Sequence, residues 1–273
     1  MTGSYLAVTG SPVVTRGLMV GSVPRLTPHR AGAVRAVARA LASTAIGRIP
    51  PDEREWIDRI EARRAELASR QEETRADYAD DPDGLPEWAR AFENPIPTWG
   101  ATGLLSIPPL WGRVLLRLVR ELGPSSCLEL GTAFGISTSF CAAALELGGS
   151  GRMLTLDAAR EWGAIAEEGW RSLGLEPRIE MRLGQIGSSS GTLPAALAAA
   201  APIDFVFVDA EHQAAPTLAY FEAMLPHLAP GAVVVFDDIG FPRQMRGAWK
   251  AIKRHRLVSA SVGLGRMGIV TVP

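Results

Sequence analysis

Cysteine is scarce: the 273 residues hold only Cys127 and Cys141. Both fall where a strand and its following helix are expected, a common place for small buried thiols, so neither a disulfide framework nor a zinc site is expected. Surplus positive charge is also lacking, since 28 Lys and Arg face 29 Asp and Glu for a formal net charge of -1. Such a chain has little with which to neutralise a phosphate backbone or an anionic lipid surface, which removes nucleic acid and membranes from the expected partners. No apolar run approaches the roughly 20 residues needed to span a bilayer, and the N-terminus lacks a basic stretch leading into an unbroken apolar segment. The expectation is a soluble, cytoplasmic protein. P-loops, serine-hydrolase elbows and zinc-ligand spacings are missing as well, and those enzyme classes are set aside.

What is present is an ordinary globular composition, 47% hydrophobic and 21% charged, enough for one large domain with an appendage. Residues 1–26 show neither helical nor strand periodicity and read as an irregular arm. Thr27 and Pro28 form a cap and first-turn pair, after which Ala31, Val34, Ala38, Leu41 and Ala45 recur at helical spacing as far as Gly47. Pro51 opens a second, highly charged helix with a narrow stripe of Trp56, Ile57, Ile60 and Leu67 and an i,i+4 pair of Glu55 and Arg59; it is expected to end before Asp81. One thin stripe suits a lid, a homodimer contact, or packing on the chain's own domain. The stretch 81–109 is rich in Pro and Gly and carries Trp88, Phe92 and Trp99, which reads as a linker with aromatic anchors. The division expected is therefore an arm with a helical extension over 1–99 and a main domain over 100–273.

In that main domain the pattern becomes regular. Leu110, Val114, Leu115, Leu118, Val119 and Leu122 mark an amphipathic helix ending at Gly123. Short apolar runs at 127–130, 153–156, 179–183, 205–208 and 232–236 then alternate with helical stretches, as a doubly wound α/β fold with a parallel sheet requires. The last two runs, 257–262 and 267–272, are separated by too few residues for a crossover helix and should form an antiparallel hairpin at the sheet edge.

The first strand runs into Leu128-Glu-Leu-Gly-Thr-Ala-Phe-Gly-Ile-Ser137, where ligands of doubly wound sheets bind. Gly131 and Gly135 permit a sharp turn and close approach to a ligand. Their G-x-x-x-G spacing differs from the G-x-G-x-x-G of dinucleotide binders, and Glu129 stands just before them. Both details favour a cationic donor such as a sulfonium over a pyrophosphate. Asp157, ending the second strand, suits ribose hydroxyls; an isolated Asp there also suits a helix cap.

These pieces, with Gly184-Gln185, Phe205-Val-Phe-Val-Asp209-Ala-Glu-His212 and Pro230-Gly-Ala-Val-Val-Val-Phe-Asp-Asp238, resemble the class I S-adenosylmethionine-dependent methyltransferases. The likeness runs from about Ile107 to the C-terminus and is strongest to the catechol O-methyltransferase-like group and its bacterial natural-product relatives. It implies a mostly parallel seven-stranded sheet with an antiparallel last strand. It further implies that Glu129, Gly131, Thr132, Ala133, Phe134, Gly135 and Ser137 hold the methionine part of S-adenosylmethionine. Asp157 with Ala158 would take the ribose, Gly184 with Gln185 the adenine edge, and Asp209 would also touch the cofactor. Metal-dependent members of the group bind a divalent cation at positions that here read Asp209, Asp237 and Asp238, the last in place of the usual Asn. Mg²⁺ is accordingly one option, and helix capping by the Asp pair is the other. Where relatives carry a Lys, this chain has His212, which suits a general base beside Asp209. The activity implied is methyl transfer to a small-molecule acceptor, a hydroxyl oxygen in a secondary-metabolite pathway of the antibiotic type. An NAD-dependent oxidoreductase and a non-catalytic relative that only binds the cofactor remain as alternatives. His29, His227 and His255 show no partner pattern and are read as structural, and Lys250, Lys253, Arg254 and Arg256 as a solvated helix face.

Overall fold

The computed structural model describes residues 28–76, 95–187 and 191–273. The expected arm over 1–26, Trp88 and Phe92 lie outside them. Helices α1 (Pro28–Ile46) and α2 (Pro51–Leu67) come first, followed by a two-stranded ribbon of β1 (Glu73–Thr74) and β2 (Ile96–Pro97), then α3 (Thr98–Leu105) and α4 (Pro109–Leu122). The alternating part is β3 (Ser126–Leu130), α5 (Ile136–Gly148), β4 (Arg152–Asp157), α6 (Arg160–Leu173), β5 (Ile179–Leu183), α7 (Leu193–Ala200), β6 (Ile203–Val208), α8 (Ala214–Met224) and β7 (Leu228–Phe236). It closes with α9 (Met245–Ile252), β8 (Ala260–Gly263) and β9 (Gly268–Thr271).

The seven-stranded sheet has the order β5-β4-β3-β6-β7-β9-β8. Pairs among β3 to β7 are parallel, and β9 runs antiparallel to both β7 and β8. The antiparallel last strand expected from the sequence is thus present, inserted one place in from the edge so that its hairpin partner β8 is terminal on that side. The central strands are apolar without interruption because both faces are covered. Phe205, Phe207, Val233 and Val235 pack with α4 and α5, while Val206, Val208, Val234 and Phe236 pack on the opposite side with α8. Winding proceeds one way from β3 through β4 to β5 and the other way from β6 to β7, which makes the carboxyl ends of β3 and β6 the switch point where a crevice opens.

The N-terminal helices differ from expectation in two respects. α2 ends at Leu67, before Asp81 as expected but well short of it, because the chain beyond it is held by β2 and the start of α3: Thr98 and Trp99 donate their N–H groups to the carbonyls of Glu72 (2.9 Å) and Arg70 (3.3 Å). The stripe Ile57, Ile60 and Leu67 is buried in the same core as α4 and α5, so this chain covers it by itself. Arg59 does not pair with Glu55; it lies 4.2 Å over the Trp56 ring and donates to the Leu173 carbonyl. α1 packs on α4, and its Ala33, Val37 and Ala40 join that core. Residue 100 falls inside α3, and Trp99, read as an anchor, is exposed.

Candidate functional site

Between Leu130 and Ile136 the chain turns through three left-handed residues, Gly131 (φ +97°), Ala133 (φ +45°) and Gly135 (φ +71°). The two glycines are required by what surrounds them. A Cβ on Gly131 would sit 2.4 Å from the carbonyl oxygen of Asp209, and one on Gly135 2.6 Å from the indole nitrogen of Trp170. Trp170 donates that N–H to the Gly135 carbonyl at 3.1 Å. Gly131 N–H donates to Leu156 O (2.9 Å) and Asp209 N–H to Leu130 O (2.8 Å), so the turn is wedged between the ends of β4 and β6.

Two carboxylates brace the turn from inside. Glu129 is fully buried and accepts hydrogen bonds from Ser137 Oγ (2.7 Å), Thr155 Oγ1 (2.7 Å) and Thr138 Oγ1. Burial pushes its carboxyl up to about 7 against the pull of those hydroxyls. Asp157 Oδ2 accepts the N–H groups of Thr132 (2.9 Å) and Ala133 (2.7 Å), and its Oδ1 that of Ala159 (2.8 Å). Burial raises this carboxyl as well, opposed by the same backbone donors. Asp157 therefore fixes the backbone leading into α6 and ties down the turn at once. Phe134 is buried edge-on to Trp162, with ring centroids 6.0 Å apart, which leaves its backbone as the part near the crevice. At the end of β5, Gly184 N–H donates to Asp157 O (2.9 Å), Gln185 is exposed and Ala158 half-buried.

A second cluster stands over the ends of β6 and β7. Among the described residues, the non-glycine residues with positive φ are Ala133, Glu211 (φ +59°), His212 (φ +45°) and Asp238 (φ +48°), all at this crevice. Each left-handed residue costs about 1–3 kcal/mol, and strain of this kind persists where the surroundings fix it. Here the Tyr220 hydroxyl donates to the Glu211 carboxylate and pins the turn. His212 Nε2 lies 3.7 Å from Asp209 Oδ1, and its Nδ1 lies 3.8 Å from Asp238 Oδ2. Burial lowers the His212 imidazole below its ordinary value despite the acids beside it. Asp209 and Asp238 are pushed up, first by burial and then by the charge of Asp237. Asp237 itself is buried and gripped by Arg266, with Nε–Oδ1 at 2.8 Å and Nη2–Oδ2 at 2.6 Å.

This sheet order and this geometry can be set beside known proteins. Residues 128–239 match the family described as methyltransferase domain. The chain is 31% identical over 136 residues to a catechol O-methyltransferase of Niastella koreensis, covering 50% of this chain and 58% of that protein. It is 33% identical over 139 residues to a transmembrane O-methyltransferase homolog of Rattus norvegicus, covering 49% of this chain and 51% of that one. It thus spans little more than half the length of these relatives. An O-methyltransferase from Bacillus cereus, solved in complex with SAH, superposes with a TM-score of 0.51 at 28% identity, over 62% of this chain and 83% of that one.

The fold is that of the class I methyltransferases, and residues 128–239 match a methyltransferase domain. Within the methyltransferase domain, Glu129, Thr132, Thr155, Ser137 and Asp157 form one hydrogen-bonded set beneath the turn, and Asp209, His212 and Asp238 gather as close charges above it beside the Asp237–Arg266 pair. The two sets meet where the Asp209 backbone touches Gly131. Glu129 lies under the turn and holds α5 to it, while the small-residue cradle and the surplus of acid at its rim fit a cationic donor. The metal-ligand set fits less well: Asp237 is already occupied by Arg266, and among the described residues no group of three His, Cys, Asp or Glu is gathered as a metal would need. Arg266 is the site residue that sequence reading missed. The short hairpin connection was the signal, because it returns the chain to the end of β7.

Proposed function

We propose that the methyltransferase domain moves a methyl group from S-adenosylmethionine to a hydroxyl oxygen of a small, catechol-like acceptor. The carrying observation is the braced turn of residues 131–135, which opens at the switch point directly beside Asp209 and His212. S-adenosylmethionine, when bound, supplies an electrophilic methyl on a positively charged sulfur. Gly131, Thr132, Ala133, Phe134, Gly135 and Ser137 shape the place for its methionine part, Asp157 with Ala158 the ribose, and Gly184 with Gln185 the adenine edge. Asp209 faces the cationic end. His212, kept neutral by burial, takes the proton of the acceptor hydroxyl, and the protein otherwise works by holding the reactants in line. The catechol-like class is carried over from the name of the Niastella koreensis relative. The absent G-x-G-x-x-G disfavours the oxidoreductase alternative.

Calorimetry with S-adenosylhomocysteine and, separately, NAD tests the reading, followed by transfer of labelled methyl to a panel of catechols and simple phenols. S-adenosylhomocysteine should give heat and NAD none. His212→Ala should keep that heat and lose about 10²–10⁴-fold in transfer rate. Heat from NAD alone, or full turnover in His212→Ala, would overturn the assignment.

A further inference from the structure

The connection between β8 and β9 delivers Arg266 to the end of β7 by backbone contacts. Gly265 adopts φ +81°, Leu264 N–H closes on Met267 O at 2.8 Å, and Arg266 N–H donates to Leu264 O at 3.1 Å. That tight turn is then docked, because Ile239 N–H donates to the Arg266 carbonyl at 2.9 Å, one residue past the Asp237 and Asp238 pair. From this fixed base the guanidinium grips the fully buried Asp237 side chain, and its Nε stands 3.5 Å from Asp238 Oδ1. Its Nη1 makes no hydrogen bond among the described residues.

A hard divalent cation needs several uncovered oxygen donors. Both oxygens of Asp237 are covered by N–H groups, and a positive charge already stands between Asp237 and Asp238. Freeing Asp237 for a metal would break a bidentate charge-assisted pair and leave a buried carboxylate to be compensated afresh. The residues therefore do not fit the metal that the family resemblance offers.

Resting on the methyl-transfer reading above, we propose that Arg266 takes the place of the divalent cation, anchored on Asp237 with Nη1 donating to the acceptor oxygen, so that transfer is metal-independent. The acceptor O–H proton goes to His212 while Arg266 steadies the negative charge gathering on oxygen. The new oxygen–carbon bond forms as the carbon–sulfur bond of the donor breaks, with that electron pair left on a neutral thioether. His212 then releases the proton to solvent.

The test uses the full chain loaded with S-adenosylhomocysteine, titrated with Mn²⁺ and followed by electron paramagnetic resonance, which needs no turnover. Free Mn²⁺ should keep its signal with the wild-type protein. In parallel, methyl transfer to protocatechuate should be unchanged by EDTA. Arg266→Ala should lose about 10²-fold in kcat, and Arg266→Lys, which keeps the charge without the fork, should retain part of it. Stoichiometric Mn²⁺ binding by the wild type with loss of turnover in EDTA, or undiminished turnover in Arg266→Ala, overturns the proposal. Absence of calorimetric heat from S-adenosylhomocysteine would instead fall on the methyl-transfer reading itself, whereas such heat together with stoichiometric Mn²⁺ would fall on Arg266 alone.

Discussion

Glu129 carries its charge only at a pH high enough to overcome its burial. Its carboxyl is pushed up to about 7 from a usual 4.5, chiefly by desolvation. A raised carboxyl favours the fold while protonated, so its contribution is complete below about 4.5 and lost as the pH climbs through 7. The full swing is on the order of 3 kcal/mol. Glu129→Gln is nearly isosteric and stays neutral; its amide oxygen can still accept from Ser137, while its NH2 takes the place of the oxygen facing Thr155 and Thr138 and donates to their hydroxyls. Thermal melts should therefore show the two proteins close at pH 5 and the variant ahead at pH 8; parallel curves would mean that this carboxyl does not titrate in the range. Glu129 was legible in the sequence because it lies two residues before the turn it braces, and Asp157 because it ends the strand paired beside that turn's own strand. Their inward orientation was not, since it depends on hydroxyls and amides contributed by Thr155, Thr132 and Ala159 after folding. Arg266 was harder to read for a related reason: it is 29 positions from Asp237, and the hairpin connection that returns it there does not by itself distinguish it from any other turn cation.

At the scale of elements, the attachment of α2 shows how burial decides what an ion pair contributes. Arg117 of α4 and Glu53 of α2 meet at 3.0 Å with side chains only 5% and 6% exposed, and Arg120 joins Asp52 and Glu53 at the rim. Removing one member of a buried pair strands the other, so Glu53→Ala should cost about 3–5 kcal/mol in urea unfolding. Arg39→Ala, which breaks the more exposed pair with Glu121, should stay within about 1 kcal/mol. Equal effects from the two would contradict this account. The start of α2 was readable from Pro51 and its stripe, but its end was not, because the charged residues after Leu67 are good helix formers that a two-residue ribbon overrides. The β8–β9 hairpin was readable because a short connection leaves the chain no other option.

Across the whole molecule, the sheet was the most legible feature, since strands covered on both faces must be apolar throughout and only a few such runs exist. The crevice position followed from the winding. What the pattern did not reveal is how deeply residues before the sheet are woven into its support: α4 is buried around most of its circumference, by α5 on one flank and α1 on another. A version of the chain trimmed to begin at Thr98 would strip that cover and bare a continuous greasy wall. Such a fragment should collect in inclusion bodies or elute from a sizing column as aggregate, while the untrimmed chain does not; a well-behaved fragment with a sharp melt would show the first two helices to be ornament. For anyone engineering this protein, the opening helices are foundations, and tags or fusions belong elsewhere.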